Sequence, residues 1–158
     1  QAEDGIRDSS TSRGLGDVYK RQILILIMSF IKSINNAFVK CFDFKTRATR
    51  SEFWYFYLFT TVIGFIGLQF DQLFELQILG IDLNNSPGTI MLGPMYIFLY
   101  FLFMLPSVAL YIRRLHDTNR SGWWLLIVVV PFIGIITLIF FLCLKGSENR
   151  NDFGEASH

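Results

Sequence analysis

Three stretches of the chain carry no charged residue for the length of a membrane helix. Residues 53–70 read "FWYFYLFTTVIGFIGLQF", residues 90–112 "IMLGPMYIFLYFLFMLPSVALYI", and residues 123–144 "WWLLIVVVPFIGIITLIFFLCL". At a rise of about 1.5 Å per residue such helices reach about 27 to 35 Å, which matches a hydrocarbon core of about 30 Å. A soluble helical core would need a polar face on each helix, and these runs have none. The pattern therefore predicts three transmembrane helices. Pro106 and Pro131 fall inside the second and third runs, where membrane helices tolerate a kink. Gly64, Gly67 and Gly134 are suited to close helix contacts.

Ahead of the first run, "SFIKSINNAFVKCFDF" places Phe30, Ile34, Ala37, Phe38, Cys41 and Phe42 on one helical stripe, with Lys32, Asn35, Asn36 and Lys40 largely elsewhere. That periodicity predicts a short amphipathic helix lying in the membrane interface. Residues 1–22, "QAEDGIRDSSTSRGLGDVYKRQ", are polar and without apolar period. They resemble a translated sequencing-adapter leader, a linker or tag being the alternative, and Met28 is the expected native start. Lys20 and Arg21 before "ILILIMSFI" look like the start of a signal peptide, but no small-residue cleavage site follows. The expected division is a non-native or disordered leader at 1–27, an interfacial helix at 28–45, a transmembrane helical domain at 46–146 and a polar tail at 147–158. The expected fold class is an all-α integral membrane protein, an interfacial helix followed by three transmembrane helices, or four if one span escapes notice.

Composition agrees with that class. The chain is 52% hydrophobic and only 17% charged, against about 25% charged in an average globular protein. The net charge of +1 matters less than where the charges stand. Lys32, Lys40, Lys45, Arg47 and Arg50 precede the first run, and Arg113, Arg114 and Arg120 follow the second. Between those runs lie Asp71, Glu75 and Asp82 with no Lys or Arg. The positive-inside rule then puts the N-terminus and the "RRLHD" loop in the cytoplasm and residues 71–89 outside. Three spans would leave the C-terminus outside, where Lys145 and Arg150 fit badly. A missed span or a re-entrant third segment would bring the tail back.

Candidate chemistry centres on "RRLHDTNRSGWW", residues 113–124. His116 beside Asp117 suggests an acid–base pair or a metal site, but the only other histidine is His158, and one adjacent pair fits no metal-site spacing. Cys41 and Cys143 are too few for a disulfide framework or a metal site and read as small apolar packers. No catalytic, metal or cofactor-binding residue is assigned, and no cofactor is expected. A structural use fits better. Arg113 and Arg114 complement the dipole at a helix C-terminus, Ser121 can cap the next helix, and Trp54, Tyr55, Trp123 and Trp124 are interfacial anchors. Glu52 and Asp117 stand among arginines on one side of the membrane. Glu52 can pair with Arg113 or Arg114, and Asp117 with Arg47 or Arg50, tying two loops together. Arg47, Arg50, Glu52, Arg113, Arg114, His116 and Asp117 thus form a candidate structural or interface cluster, with His116 placed to titrate near neutral pH. The same arginines, with Arg120, could attract anionic headgroups.

The stretches "RATRSEFWYFYLF" at 47–59, "RRLHDTNRSGWW" at 113–124, "PFIG" at 131–134 and N-x-F-G at 151–154 carry a resemblance. From Met28 to Gly154 the chain resembles the bacterial inner-membrane family of domain of unknown function 805. The resemblance implies a compact helical domain in the bacterial cytoplasmic membrane and no particular activity. Of the function classes, a non-enzymatic scaffold or partner-binding domain needs only the features above, its partners being membrane lipids, other membrane proteins or a second copy. A small oligomeric channel or transporter would have to use the sparse hydroxyls Thr60, Thr61, Ser107 and Thr137. A membrane-embedded enzyme would have to use His116, Asp117 and Glu52, without a recognisable nucleophile–base spacing. Nucleic-acid binding has no motif behind it.

Overall fold

The computed structural model describes residues 7–74 and 92–155, with side chains from residue 18 on. Five helical elements make up its regular structure: α1 (Arg7–Val39), α2 (Arg50–Leu73), α3 (Pro94–Asp117), a 3-10 helix (Gly122–Val129) and α4 (Ile133–Cys143). Three of them contain stretches long and apolar enough to cross a membrane, namely Val18–Val39, Arg50–Leu73 and Pro94–Asp117. The all-helical membrane class holds, but the run at 123–144 is not one of the three.

α1 passes through residue 28 without a break, because "ILILIM" continues the helix that the stripe at 30–38 begins. Its ring contacts fix its direction. Phe30 meets Tyr55 and Phe38 meets Phe56, each pair edge to face with centroids 5.8 Å apart. Positions eight residues apart on α1, about 12 Å along its axis, thus reach adjacent positions of α2. The second half of α1 therefore packs on the first two turns of α2. The helix ends at Val39, so Cys41 and Phe42 lie beyond it, and Phe42 is exposed.

α2 and α3 form the central hairpin. Thr49 caps α2 by accepting from the Glu52 N–H at 3.2 Å, a side-chain cap for an otherwise unpaired helix donor. At the other end Asp71, 1% exposed, accepts from the Met95 and Tyr96 N–H groups at 3.0 and 2.8 Å, with Pro94 beginning α3. A carboxylate at a helix N-terminus neutralises the dipole there. Asp71 therefore belongs to the end of α2 and not to the loop expected at 71–89; Glu75, Asp82 and the rest of that loop lie outside the described residues. A Cβ on Gly67 would stand 2.5 Å from Leu99 Cδ1, so this glycine lets the Leu99 side chain lie close against α2.

The third apolar run breaks in two. Pro131 lacks the N–H a continuing helix needs and disfavours helical backbone just before it, and Phe132 takes φ 61°. The same residue type at Pro106 stays inside α3, so the third run turns where the second only accommodates a proline. Gly134 makes the turn possible, since a Cβ there would lie 1.8 Å from the Ile127 carbonyl oxygen. The 11 residues of α4 rise only about 16 Å, roughly half of a bilayer core. The chain beyond α4 folds back onto the end of α3, where the Ser147 N–H donates to the Asp117 carbonyl at 2.9 Å. The 123–144 run is therefore not one helix of spanning length, and the tail that follows it returns to the "RRLHD" loop. The tail packs against that very loop, which is the arrangement a re-entrant third segment produces.

The apolar core gathers at this end. Ala37, Ala48, Phe53, Phe56, Leu110, Leu115, Leu138 and Leu142 are buried together, while the outward faces of all the helices expose large apolar side chains.

Candidate functional site: a buried charge cluster at one end of the helices

Chain geometry brings four segments to one place. They are the 43–49 turn before α2, the first turn of α2, the last turn of α3, and the tail after α4. The Ala48 N–H donates to the Arg113 carbonyl at 3.1 Å, which pins the first of these to the third. Asp43 shapes the turn by accepting from the Lys45 and Thr46 N–H groups at 3.0 and 3.2 Å and from the Thr46 hydroxyl at 2.7 Å. Partial burial pushes the Asp43 carboxyl up, but the Thr46 hydroxyl, those two N–H groups and the Arg113 charge outweigh it and hold the group below the usual carboxylate value.

Within this frame Asp117 is the hub. Its Oδ1 accepts from Arg47 Nε at 3.1 Å and Nη2 at 2.9 Å, and its Oδ2 accepts from Arg114 Nη1. Arg47, only 4% exposed, spends its remaining donors on the tail: the carbonyls of Ser147, Asn149 (3.0 Å) and Gly154 (3.3 Å), and the Ser147 hydroxyl at 2.9 Å. Arg114 caps α4 by donating to the Leu142 carbonyl at 3.1 Å and to the Leu144 carbonyl. Glu52 pairs with Arg113 through a single contact of 3.2 Å. Three buried arginines thus face two carboxylates, and the surplus positive charge is met by the carbonyls that end α4 and line the tail, where helix C-terminal dipoles are negative.

His116 stands beside the hub without joining it. Its ring is buried and stacks on Phe153, centroids 3.9 Å apart and 5° from parallel. The His116 Nδ1 has no hydrogen-bond partner among the described residues, and its carbonyl accepts from the Asn119 N–H and from Asn151 Nδ2. Arg50 is exposed, and among the described residues its side chain donates only to the Cys143 carbonyl, at 3.4 Å. Of the seven residues of the sequence-derived cluster, the structure therefore joins Arg47, Arg114 and Asp117 in one group and Glu52 with Arg113 in a second. His116 sits against them, and Arg50 is left outside both groups. Among the described residues no three of His, Cys, Asp and Glu converge as a metal site would require.

The aromatic candidates ring the same end. Trp123 is 79% exposed, and Trp124 and Trp54 are exposed as well. Trp124 meets Phe141 edge to face at 5.3 Å, and the Arg120 guanidinium lies 4.1 Å over the Phe141 ring, a cation–π contact. Ser121 accepts from the Trp123 N–H at 3.4 Å and so caps the 3-10 helix. Several participants carry no chemical signal in the sequence: Gly146, whose Cβ would fall 1.9 Å from Asp117 Oδ2, and the carbonyls of Leu142, Leu144, Ser147 and Asn149. N-x-F-G does mark the spot, since Asn151 and Gly154 close a short bridge through paired backbone bonds of 3.1 Å and Phe153 supplies the stacking ring.

Comparison with known proteins fits this picture. A family model described as "Protein of unknown function (DUF805)" matches residues 41–155, which takes in every segment of the cluster. Inner membrane protein YhaI of Escherichia coli (strain K12) is 42% identical over 111 residues, 70% of this chain and 82% of that protein. Inner membrane protein YhaH of the same strain is 38% identical over 111 residues, 70% of this chain and 84% of its own length. No solved structure matches the chain. The protein belongs to the DUF805 family, together with these inner-membrane relatives.

Proposed function

We propose that the chain is a non-enzymatic membrane domain that binds a protein partner through the surface at its charged end, with that end in the cytoplasm. One observation carries the reading. The charged residues that could do chemistry, Arg47, Arg113, Arg114, Glu52 and Asp117, are buried and engaged with one another or with tail carbonyls, and the His116 ring is buried and stacked on Phe153. An enzyme keeps such groups open to substrate, whereas here they fix the relative positions of two loops and a tail, as a rigid binding face requires. Orientation follows from charge. With the tail folded back, Lys145 and Arg150 join Lys40, Lys45, Arg47, Arg50, Arg113, Arg114 and Arg120 at one end, which favours a cytoplasmic placement. Exposed Arg50 and Lys45 would then face anionic headgroups, each attraction worth about 1 kcal/mol. A channel draws less support, because three of its four candidate hydroxyls, those of Thr60, Thr61 and Thr137, each donate to a carbonyl of their own helix.

A photo-reactive residue introduced in cells at Lys45, and separately at Asn119, tests the proposal. The expected result is the same protein adduct from both positions, reproduced with purified components and lost when Asp117→Asn loosens the face. Adducts to lipid alone from both positions would overturn it.

A further inference from the structure

Away from the charge cluster, a cavity of about 490 Å³ opens between α2, α3 and the re-entrant segment. Its walls are apolar, with Gly64 on α2, Phe103 on α3 and Leu138 on α4, and Thr60, Ser107 and Tyr111 add hydroxyls. A smaller cavity of about 120 Å³ shares those same three hydroxyl residues. Depth follows from the helices. Thr60 lies ten residues into α2 from Arg50, and Ser107 ten residues before Asp117 on α3. Each is therefore about 15 Å from the charged end, near the middle of a hydrocarbon core of about 30 Å.

Hydroxyls at that depth are normally turned onto their own helix, as the Thr60 hydroxyl is, donating to the Tyr57 carbonyl at 3.0 Å. The Ser107 and Tyr111 hydroxyls have no hydrogen-bond partner among the described residues. An unpaired hydroxyl facing hydrocarbon is costly, so an acyl chain would fill the space and leave that cost in place. The cavity also carries no charged side chain to balance an ion. Its size lies in the range of small-molecule sites, which combine apolar walls with a few convergent polar groups.

We propose that this cavity binds a neutral lipid-soluble molecule whose carbonyl or hydroxyl oxygen is held by Ser107 and Tyr111 while its apolar body lies against Gly64, Phe103 and Leu138. The site is independent of the partner-binding face, and either can fail without the other.

The test uses the full chain in nanodiscs with three radiolabelled probes of matched tail length: a decyl-substituted benzoquinone, decyl alcohol and decylbenzene. Saturable retention of the quinone or the alcohol in preference to decylbenzene is expected, and Ser107→Ala should weaken it roughly threefold to tenfold, the worth of one hydrogen bond. Gly64→Leu should abolish retention by filling the cavity. Gly64→Ala, whose added Cβ would sit 3.8 Å from Tyr96 Cε2, should retain it and serves as the folding control alongside thermal melts. Equal retention of all three probes, or of the oxygen-bearing probes with and without Ser107, would reduce the cavity to a space for hydrocarbon and overturn the proposal. So would the absence of saturable retention of either oxygen-bearing probe by the unaltered chain.

Discussion

The two ion-pair groups differ in how well each charge is satisfied, and single substitutions should expose the difference. Asp117 accepts from two arginines, so Asp117→Asn leaves both guanidiniums short of countercharge in a buried setting. Breaking a buried pair in this way costs about 3–5 kcal/mol, and the detergent-solubilised protein should melt well below its parent. Arg113 is the opposite case. It is fully buried, yet its Nε and Nη2 have no partner among the described residues, and one bond to Glu52 is all its side chain makes. Desolvation is then poorly repaid, so losing both charges should cost less than the sum of losing each. In a double-mutant cycle Glu52→Gln and Arg113→Gln should each destabilise, with a coupling energy above about 0.5 kcal/mol. Strict additivity would mean that the 3.2 Å contact does not join the two segments.

Short connecting elements carry their own energetics. The 43–46 turn depends on the Asp43 carboxylate, whose affinity for a proton is held below its ordinary value of 3.8. Such a group stabilises the folded state above that value, and the contribution disappears as pH falls through the lower folded value. Acid titration of the melting temperature should therefore be shallower in Asp43→Asn than in the unaltered chain. At the far end of the α2–α3 hairpin, Asp71→Ala removes the acceptor for two N–H groups at the start of α3 and should cost about 1–3 kcal/mol. Sequence pattern announced α2 and α3 because uncharged runs of that length have few other uses. It misread two of their neighbours for physical reasons. Pro131 and Pro106 look alike in the sequence, but only Pro131 precedes a Phe at φ 61° and a glycine packed on the Ile127 carbonyl, and that contact depends on tertiary packing. Asp71 looked like loop polarity because its partners are backbone N–H groups more than twenty residues away.

At the scale of the whole molecule, the charge pattern and the packing converge on one arrangement. Candidate partners for Glu52 and Asp117 were legible because acids next to clustered arginines at a membrane boundary need countercharges. The tail's part was not, because it acts through the carbonyls of Ser147, Asn149 and Gly154, which every residue possesses. Those carbonyls bring the tail to Arg47, and in a membrane that contact requires residues 122–143 to enter and leave on the same side, which is an expectation open to test. Cysteine labelling checks this without reference to function. With Cys41 and Cys143 replaced by Ala, a single cysteine at Lys45 and one at Glu148, an exposed tail position, should react with a membrane-impermeant maleimide from the same side of sealed vesicles. A continuous third span would place the two on opposite sides. Arg47→Ala should leave the sidedness intact, since the 11 residues of α4 are too short to cross by themselves, while making the tail beyond Leu144 more readily cleaved by protease. If sidedness changed with Arg47, the latch and not the length of α4 would be what keeps the segment re-entrant.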